Sequence, residues 1–324
     1  MAEETIIRSM TEAHEKSFLA PYAQLSASSR GRLVSEEPCE IRTSYQRDRD
    51  RIIHSEFFRK LKGKTQVFIL KYEFYRSRLT HTLEVSQIAR TIARALRLNE
   101  DLIEAIAMGH DLGHTCFGHT GEEVLDRLTG HFAHNEQSLR VVDVLEREGR
   151  GLNLTYEVRD GILNHTGEGI PFTMEGKLVK IADRITYLCH DIQDSLSAGI
   201  LTDNEIPLLF KKVLGSSHSQ RVNAFVQDMV LETNRQLKAD NEQNIYQTPH
   251  MAFVMQELRE FMFNRVYNGE ICMREKEKAT HIVEFLYHAY TKQMSDREAA
   301  DLIAGLTDNM AIKEFQDLII PFPK

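Results

Sequence analysis

Only four cysteines occur in the 324 residues, at positions 39, 116, 189 and 272, each more than 70 positions from the next. That spacing offers neither a disulfide framework nor a paired-cysteine zinc site, and it fits a reducing cytoplasm. No apolar run approaches the roughly 18 residues that a membrane span requires. The first 20 residues carry Glu3, Glu4, Glu12 and Glu15 and no hydrophobic stretch, so no secretory leader is expected. Basic residues are outnumbered, 40 Lys and Arg against 48 Asp and Glu, which argues against a general nucleic-acid coat or membrane-surface binder. Prolines (7) and glycines (17) are also sparse, so long segments run without punctuation.

Those segments repeat apolar residues at helical spacing. Thr82–Leu98 presents Val85, Ile88, Ala89, Ile92 and Leu96 on one face, residues 99–109 present Leu102, Ile103, Ile106 and Ala107, and residues 177–197 present Leu178, Ile181, Ala182, Ile185, Leu188 and Ile192. Further helices are expected at 46–62, 120–129, 134–148, 155–164, 218–238, 249–266 and 275–293. Alternating strand patterns are scarce, and Thr65–Lys71 is the best short candidate. The fold class is therefore all-α. An N-terminal arm (1–40) contains the flexible composition Ser26-Ala-Ser-Ser-Arg-Gly31. Residues 164–176 read as a loop, and Gly199 and Pro207 separate a histidine-rich core (41–205) from a C-terminal helical region (206–324) packed on it.

Charge and histidine are both uneven. Ten basic and four acidic residues lie between Arg47 and Arg78, which reads either as a solvated helix face or as an anion-binding wall. His110, His114, His119, His131 and His134 crowd into 25 residues, where an even spread of the chain's 14 histidines gives about one. His81 is in phase with Val85, Ile88 and Ile92 and points to the core from a position just ahead of its helix. His110 follows Ile103, Ile106 and Ala107, with Asp111 one step round and Gly113 ending the helix. Asp183 lies beside the stripe of the 177–197 helix. Buried unpaired imidazoles and carboxylates are costly without a partner. Two imidazoles and two carboxylates form a mixed nitrogen and oxygen set suited to a divalent cation, with Mg, Mn, Fe, Co, Ni and Zn all admissible.

The order of these residues resembles the HD-domain metal phosphohydrolases. Gln46-Arg-Asp-Arg-Asp-Arg51, Lys64-Thr-Gln-Val67, Arg78-Leu-Thr-His-Thr-Leu-Glu84 and His110-Asp-Leu-Gly-His-Thr-Cys-Phe-Gly-His119 are similar to one branch, the deoxyguanosinetriphosphate triphosphohydrolases and their bacterial relatives. So are His134-Asn-Glu-Gln137, Val158-Arg-Asp-Gly-Ile-Leu-Asn-His-Thr166, Ala182-Asp-Arg-Ile-Thr-Tyr187 and Ile303-Ala-Gly-Leu-Thr-Asp-Asn-Met-Ala311. The likeness runs from about Arg42 to the C-terminus. It implies an HD-domain helical core with additional C-terminal helices.

The resemblance implies a cation held by His81, His110, Asp111 and Asp183, and hydrolysis of a deoxynucleoside triphosphate to deoxynucleoside and inorganic triphosphate. It makes His119 the catalytic histidine and Glu122 its carboxylate partner. A capping box of Thr120 and Glu123 is expected to set Glu122 in a first helical turn. His114 and His134 match histidines near the phosphates, Arg78 and Arg184 match phosphate contacts, and Gln66, Tyr187 and Asp191 match residues that read the sugar. Cys116 stands where relatives usually carry proline, so the His119 loop is expected to be less rigid. The resemblance also implies a homo-oligomer with nucleotide effectors. Alternatives are another HD-domain nucleotide phosphohydrolase (a monophosphatase or guanosine-tetraphosphate hydrolase), or a weakly catalytic regulator that binds nucleotides or single strands.

Overall fold

The computed structural model describes residues 7–67, 76–239 and 242–321. Helices dominate throughout. No β-strand forms among the described residues, where pairing is limited to isolated bridges, Arg32 with Thr155 and Thr65 with Ser77. The strand expected at Thr65–Lys71 lies partly outside the described residues.

Short polar side chains start most of the helices, because each offers an oxygen to an otherwise unpaired N–H of the first turn. Ser77 caps Arg78–Leu96, Asn99 caps Glu100–Gly109, and Thr173 caps Met174–Ser197. These three helices pack on one another through Val85, Ile92, Leu102, Ile106, Leu178 and Ile185, all fully buried. Each such side chain contributes about 1.5–3 kcal/mol on burial. Ser44–Ile53 covers Glu100–Gly109, and Tyr156–Asn164 inserts beside it, with Gly161 so close to Ile106 that a Cβ there would lie 2.5 Å from it.

The hydrophobic core continues past the Gly199–Pro207 break. His218–Lys238 and Pro249–Met262 add Phe225, Met229, Val254 and Leu258 to it. A second, smaller core joins His119–Thr129 to Glu270–Tyr290 and to Asp296–Ala304 and Asp308–Ile319. Among the described residues no helix is long and apolar enough to cross a membrane.

Several expectations change in detail. The 46–62 helix is two, Ser44–Ile53 and Glu56–Lys60, because Ser55 starts a new one by accepting from Phe58 N. The 134–148 helix loosens into a π turn at Val141–Leu145 and kinks at Arg147 and Glu148, both with positive φ. The 249–266 helix ends in a second π turn, Phe263–Tyr267. The N-terminal arm contains a helix, Ile7–Phe18, and its serine stretch is anchored. Ser26 N and Oγ donate to the buried Glu15 carboxylate, while Ser29 Oγ and Arg30 N donate to Glu157.

Candidate active site

Local structure brings the four expected ligands together. His81 sits in the first turn of Arg78–Leu96 rather than ahead of it, because the Ser77 cap starts that helix at Arg78. The preceding helix ends at Gly109, so His110 is its C-cap and Asp111 stands in the following turn. Gly113 lets that turn approach the His134–Arg140 helix, since a Cβ there would lie 2.1 Å from Ser138 N. Ser138 Oγ accepts from Gly113 N at 2.8 Å and donates to His110 O at 2.7 Å. Asp183 arrives from the middle of Met174–Ser197.

The hydrogen bonds show what this cluster lacks. His110 Nδ1 donates to Ala107 O at 2.6 Å, which leaves Nε2 as a bare lone pair. That lone pair is buried and has no partner. It faces Asp111 Oδ1 at 3.4 Å and Asp183 Oδ1 at 3.8 Å. His81 Nε2 lies 2.9 Å from the same Asp183 oxygen. His81, His110 and Asp111 each offer an atom within 4.8 Å of the others. A buried ring nitrogen without a partner beside two carboxylates is unfavourable, and a divalent cation removes that cost. The donor set fits one.

The carboxylates are held ready. Burial pushes Asp111 up, but His110, the Arg78 guanidinium and His114 together hold it well below the usual carboxylate range. Burial raises Asp183 too, but its bond to His81 and the charges of His81 and His110 together bring it down to about 2. Arg78 is almost wholly buried, and its Nη1 donates to Asp111 Oδ2 at 2.8 Å while its Nε has no partner.

Beside the cage lies a stack of imidazoles. The rings of His114 and His134 stack with centroids 3.9 Å apart, and His119 stands edge-on to His114 at 5.2 Å. Glu122 lies in the first turn of His119–Thr129 as expected, although no capping box forms. The N-cap is Gly118, at φ 58°, so Thr120 falls inside the helix, and Glu123 pairs instead with Lys276 Nζ at 2.6 Å. Glu122 is bonded to His134, not His119, because His134 offers it two donors, N and Nδ1, both at 2.8 Å. Burial would raise Glu122, but those bonds and the nearby imidazoles bring it down to about 2. His119 opens onto the pocket, where loss of solvation and then the Arg78 charge lower it to about 4. The sequence reading missed His165. Its Nδ1 donates to Ile162 O at 2.7 Å, and its Nε2 lies 3.2 Å from His134 Nε2. His131 does not join the cluster; it is exposed and sits 2.9 Å from Glu136.

His81, Asp111 and Asp183 of the cage and the imidazoles of His114, His119 and His134 line a cavity of about 380 Å³ that also includes Gln66, Arg78, Tyr187 and Asp191. Tyr187 and Asp191 follow Asp183 along one helical stripe. Burial pushes Asp191 up to about 7, and its carboxylate accepts from Tyr267 Oη. Tyr267, Phe263 and Arg259 also line the cavity; they come from the second π turn and the helix before it, which no local motif announced. Arg184 is exposed and lies outside this lining. Among the described residues the basic stretch does not form an anion-binding wall along the cavity. Arg47 and Arg51 are paired with Glu36, Arg49 with Asp101 and Glu104, and Arg76 with Glu84 and Asp194, which leaves Arg78 as its one member lining the cavity. Lys71 lies outside the described residues.

Residues 78–192, which contain all four members of the cage, match the family model described as the HD domain, and residues 245–297 match the phosphohydrolase-associated domain. Fold and site together define an HD-domain phosphohydrolase. More narrowly, the chain belongs to the deoxyguanosinetriphosphate triphosphohydrolase-like family. It is 48% identical to the deoxyguanosinetriphosphate triphosphohydrolase-like protein of Caldanaerobacter subterraneus subsp. tengcongensis, over 98% of this chain and 97% of that one. The proteins of that name from Desulfatibacillum aliphaticivorans (44% identical, 98% and 99% covered) and Clostridium perfringens strain SM101 (46%, 97% and 98%) are also similar. A crystal structure of a hypothetical protein from Aquifex aeolicus shares the fold, with a TM-score of 0.52 at 21% identity over 82% of this chain and 67% of that one.

Proposed function

We propose that the protein hydrolyses deoxynucleoside triphosphates to the deoxynucleoside and inorganic triphosphate in the presence of a divalent cation. The observation that carries this reading is that one cavity is lined by His81, Asp111 and Asp183 of the cage together with Arg78, Gln66, Tyr187 and Asp191. His81, His110, Asp111 and Asp183 would hold the cation, which when bound polarises a phosphate and lowers the pKa of an attacking water.

The remaining chemistry falls to the chain's own side chains. A triphosphate carries roughly three to four negative charges, and charge-assisted donors suit it. Arg78, already oriented by Asp111, keeps its Nε for that purpose. In the reaction an oxygen–phosphorus bond forms at the α-phosphorus, the bond to O5′ breaks, and O5′ must receive a proton. His119 faces the cavity and is the donor in this reading. Its basicity, low in the free protein, rises when the polyanion arrives beside it. Glu122 orients His134, which with His114 completes the imidazole wall against the phosphates. Gln66, whose Oε1 is buried without a partner, and Asp191 read the 3′-hydroxyl, and the Tyr187 ring closes the face where a ribose would carry its 2′-hydroxyl.

The test is incubation of the purified protein with each dNTP, with and without Mn²⁺ or Mg²⁺, followed by anion-exchange separation. Deoxynucleoside and triphosphate in equal amounts support the reading. Orthophosphate or pyrophosphate as the primary product refutes it.

A further inference from the structure

The block Ile303–Ala311, singled out in the sequence, plays no part in the chemistry above, yet one of its members reaches two segments of the cavity. Asp308 is the first residue of the last helix. One of its oxygens, Oδ2, accepts from Thr65 N at 2.9 Å and Thr65 Oγ1 at 2.5 Å. The other, Oδ1, accepts from Phe117 N at 2.8 Å. Thr65 immediately precedes Gln66, and Phe117 stands two residues before His119.

The Phe117 segment needs holding. Phe117 has φ 60° and Gly118 φ 58°, so two successive residues adopt the left-handed region that a bulky side chain avoids. A side chain at Gly118 would be strained by that φ and tightly placed, with a Cβ 3.1 Å from Arg78 Nη2 and 3.2 Å from Thr65 O. The Phe117 ring is anchored in the second core, Thr115 Oγ1 donates to Gly118 O at 2.9 Å, and the buried Lys64 donates to both His114 O and Ala304 O. The loop that Cys116 was expected to loosen is therefore tied to the C-terminal helices at two points. Asp308 makes no ion pair among the described residues, so all of its described bonds go to the two segments.

We propose that Asp308 is a positioning residue for hydrolysis, with its single carboxylate fixing the spacing between the Gln66 segment and the His119 turn. This rests on the functional reading above. An amide cannot replace the carboxylate, because its nitrogen would meet an N–H donor on one side or the other. Misplacing reacting groups by about 1 Å costs on the order of 100-fold in rate.

The experiment compares the wild-type chain with D308N, T65V and Q66A in Mn²⁺, using the dNTP hydrolysed fastest and its 2′,3′-dideoxy analogue. D308N is expected to lower kcat by about 10–100-fold and to weaken the preference for the 3′-hydroxyl. T65V removes only the hydroxyl bond and keeps the link to Phe117. It is expected to weaken the preference with a smaller loss of kcat, and it serves as the test should D308N fail to fold. Rates are normalised to folded protein by melting curves. If kcat and 3′-hydroxyl preference per folded molecule stay within twofold of wild type in D308N, or the preference does so in T65V, Asp308 is a structural brace and the proposal is overturned. A wild-type chain that hydrolyses no dNTP refutes the functional reading instead. If wild type turns over and Q66A loses the preference that D308N and T65V retain, the positioning role alone fails.

Discussion

His110 Nε2 and Asp111 Oδ1 face each other across 3.4 Å, and His110 Nε2 has no hydrogen-bond partner. A divalent cation between them would take up that unpartnered nitrogen and the carboxylate oxygen together. Metal binding should therefore stabilise the fold by mass action. With Mn²⁺ at about 100 times its dissociation constant, the gain is about 2.7 kcal/mol, or roughly 5 °C in Tm. Asp183→Asn should abolish that shift and the hydrolysis together. A full Mn²⁺-dependent shift in the variant contradicts the assignment of the ligand.

Arg78 supplies a second test, because its pair with Asp111 is buried on both sides. Removing one partner of a buried pair typically costs about 3–5 kcal/mol. Arg78→Ala should lose that much in urea unfolding of the metal-free protein. The deficit should narrow when Mn²⁺ is added, since the cation then compensates Asp111. A loss below about 1 kcal/mol contradicts the geometry.

Glu175 makes the pH dependence specific. It is completely buried, and its Oε1 accepts from Gln24 N and Asn99 N, both at 3.0 Å. Burial raises it from 4.5 to about 7, so the folded state favours the neutral acid. Its contribution is fully present below pH 4.5 and is lost as the pH rises through about 7. Glu175→Gln keeps the acceptor and removes the titration. Relative to that variant, wild type should weaken across this window by on the order of 2–3 kcal/mol. Parallel stability curves for the two proteins contradict the prediction.

Tyr187→Ala should open the sugar end of the cavity. The preference for a deoxynucleoside over a ribonucleoside triphosphate, measured as a ratio of kcat/KM, should fall about tenfold or more. An unchanged ratio assigns the exclusion to other residues.

Part of the cage was legible because helical phase carries its information. His81 shares the buried face of Val85, Ile88 and Ile92, whereas Asp183 stands beside its stripe, so its place was carried by the likeness of motif order rather than by phase. Charge was left with two readings for the opposite reason. Arg76 and Arg49 have near partners in Glu84 and Asp50, but Asp194, 118 residues from Arg76, and Asp101, 52 from Arg49, lie in no local window. His165 escaped notice because its meaning lies in a contact with His134 across 31 positions. Tyr267 escaped because a π turn, which breaks the regular period, delivers it to Asp191. The helix at Leu208–Leu214 was missed because it is short, and those at Asp296–Ala304 and Asp308–Ile319 begin at caps, Ser295 and Thr307, rather than within a long apolar stripe.

Hydrolysis in isotopically labelled water tests the central claim most directly. Attack at the α-phosphorus with release of O5′ places the heavy oxygen in the triphosphate and leaves the deoxynucleoside unlabelled, as read by mass spectrometry of the separated products. Label on the nucleoside 5′-oxygen, or on orthophosphate or pyrophosphate released as the first product, contradicts it.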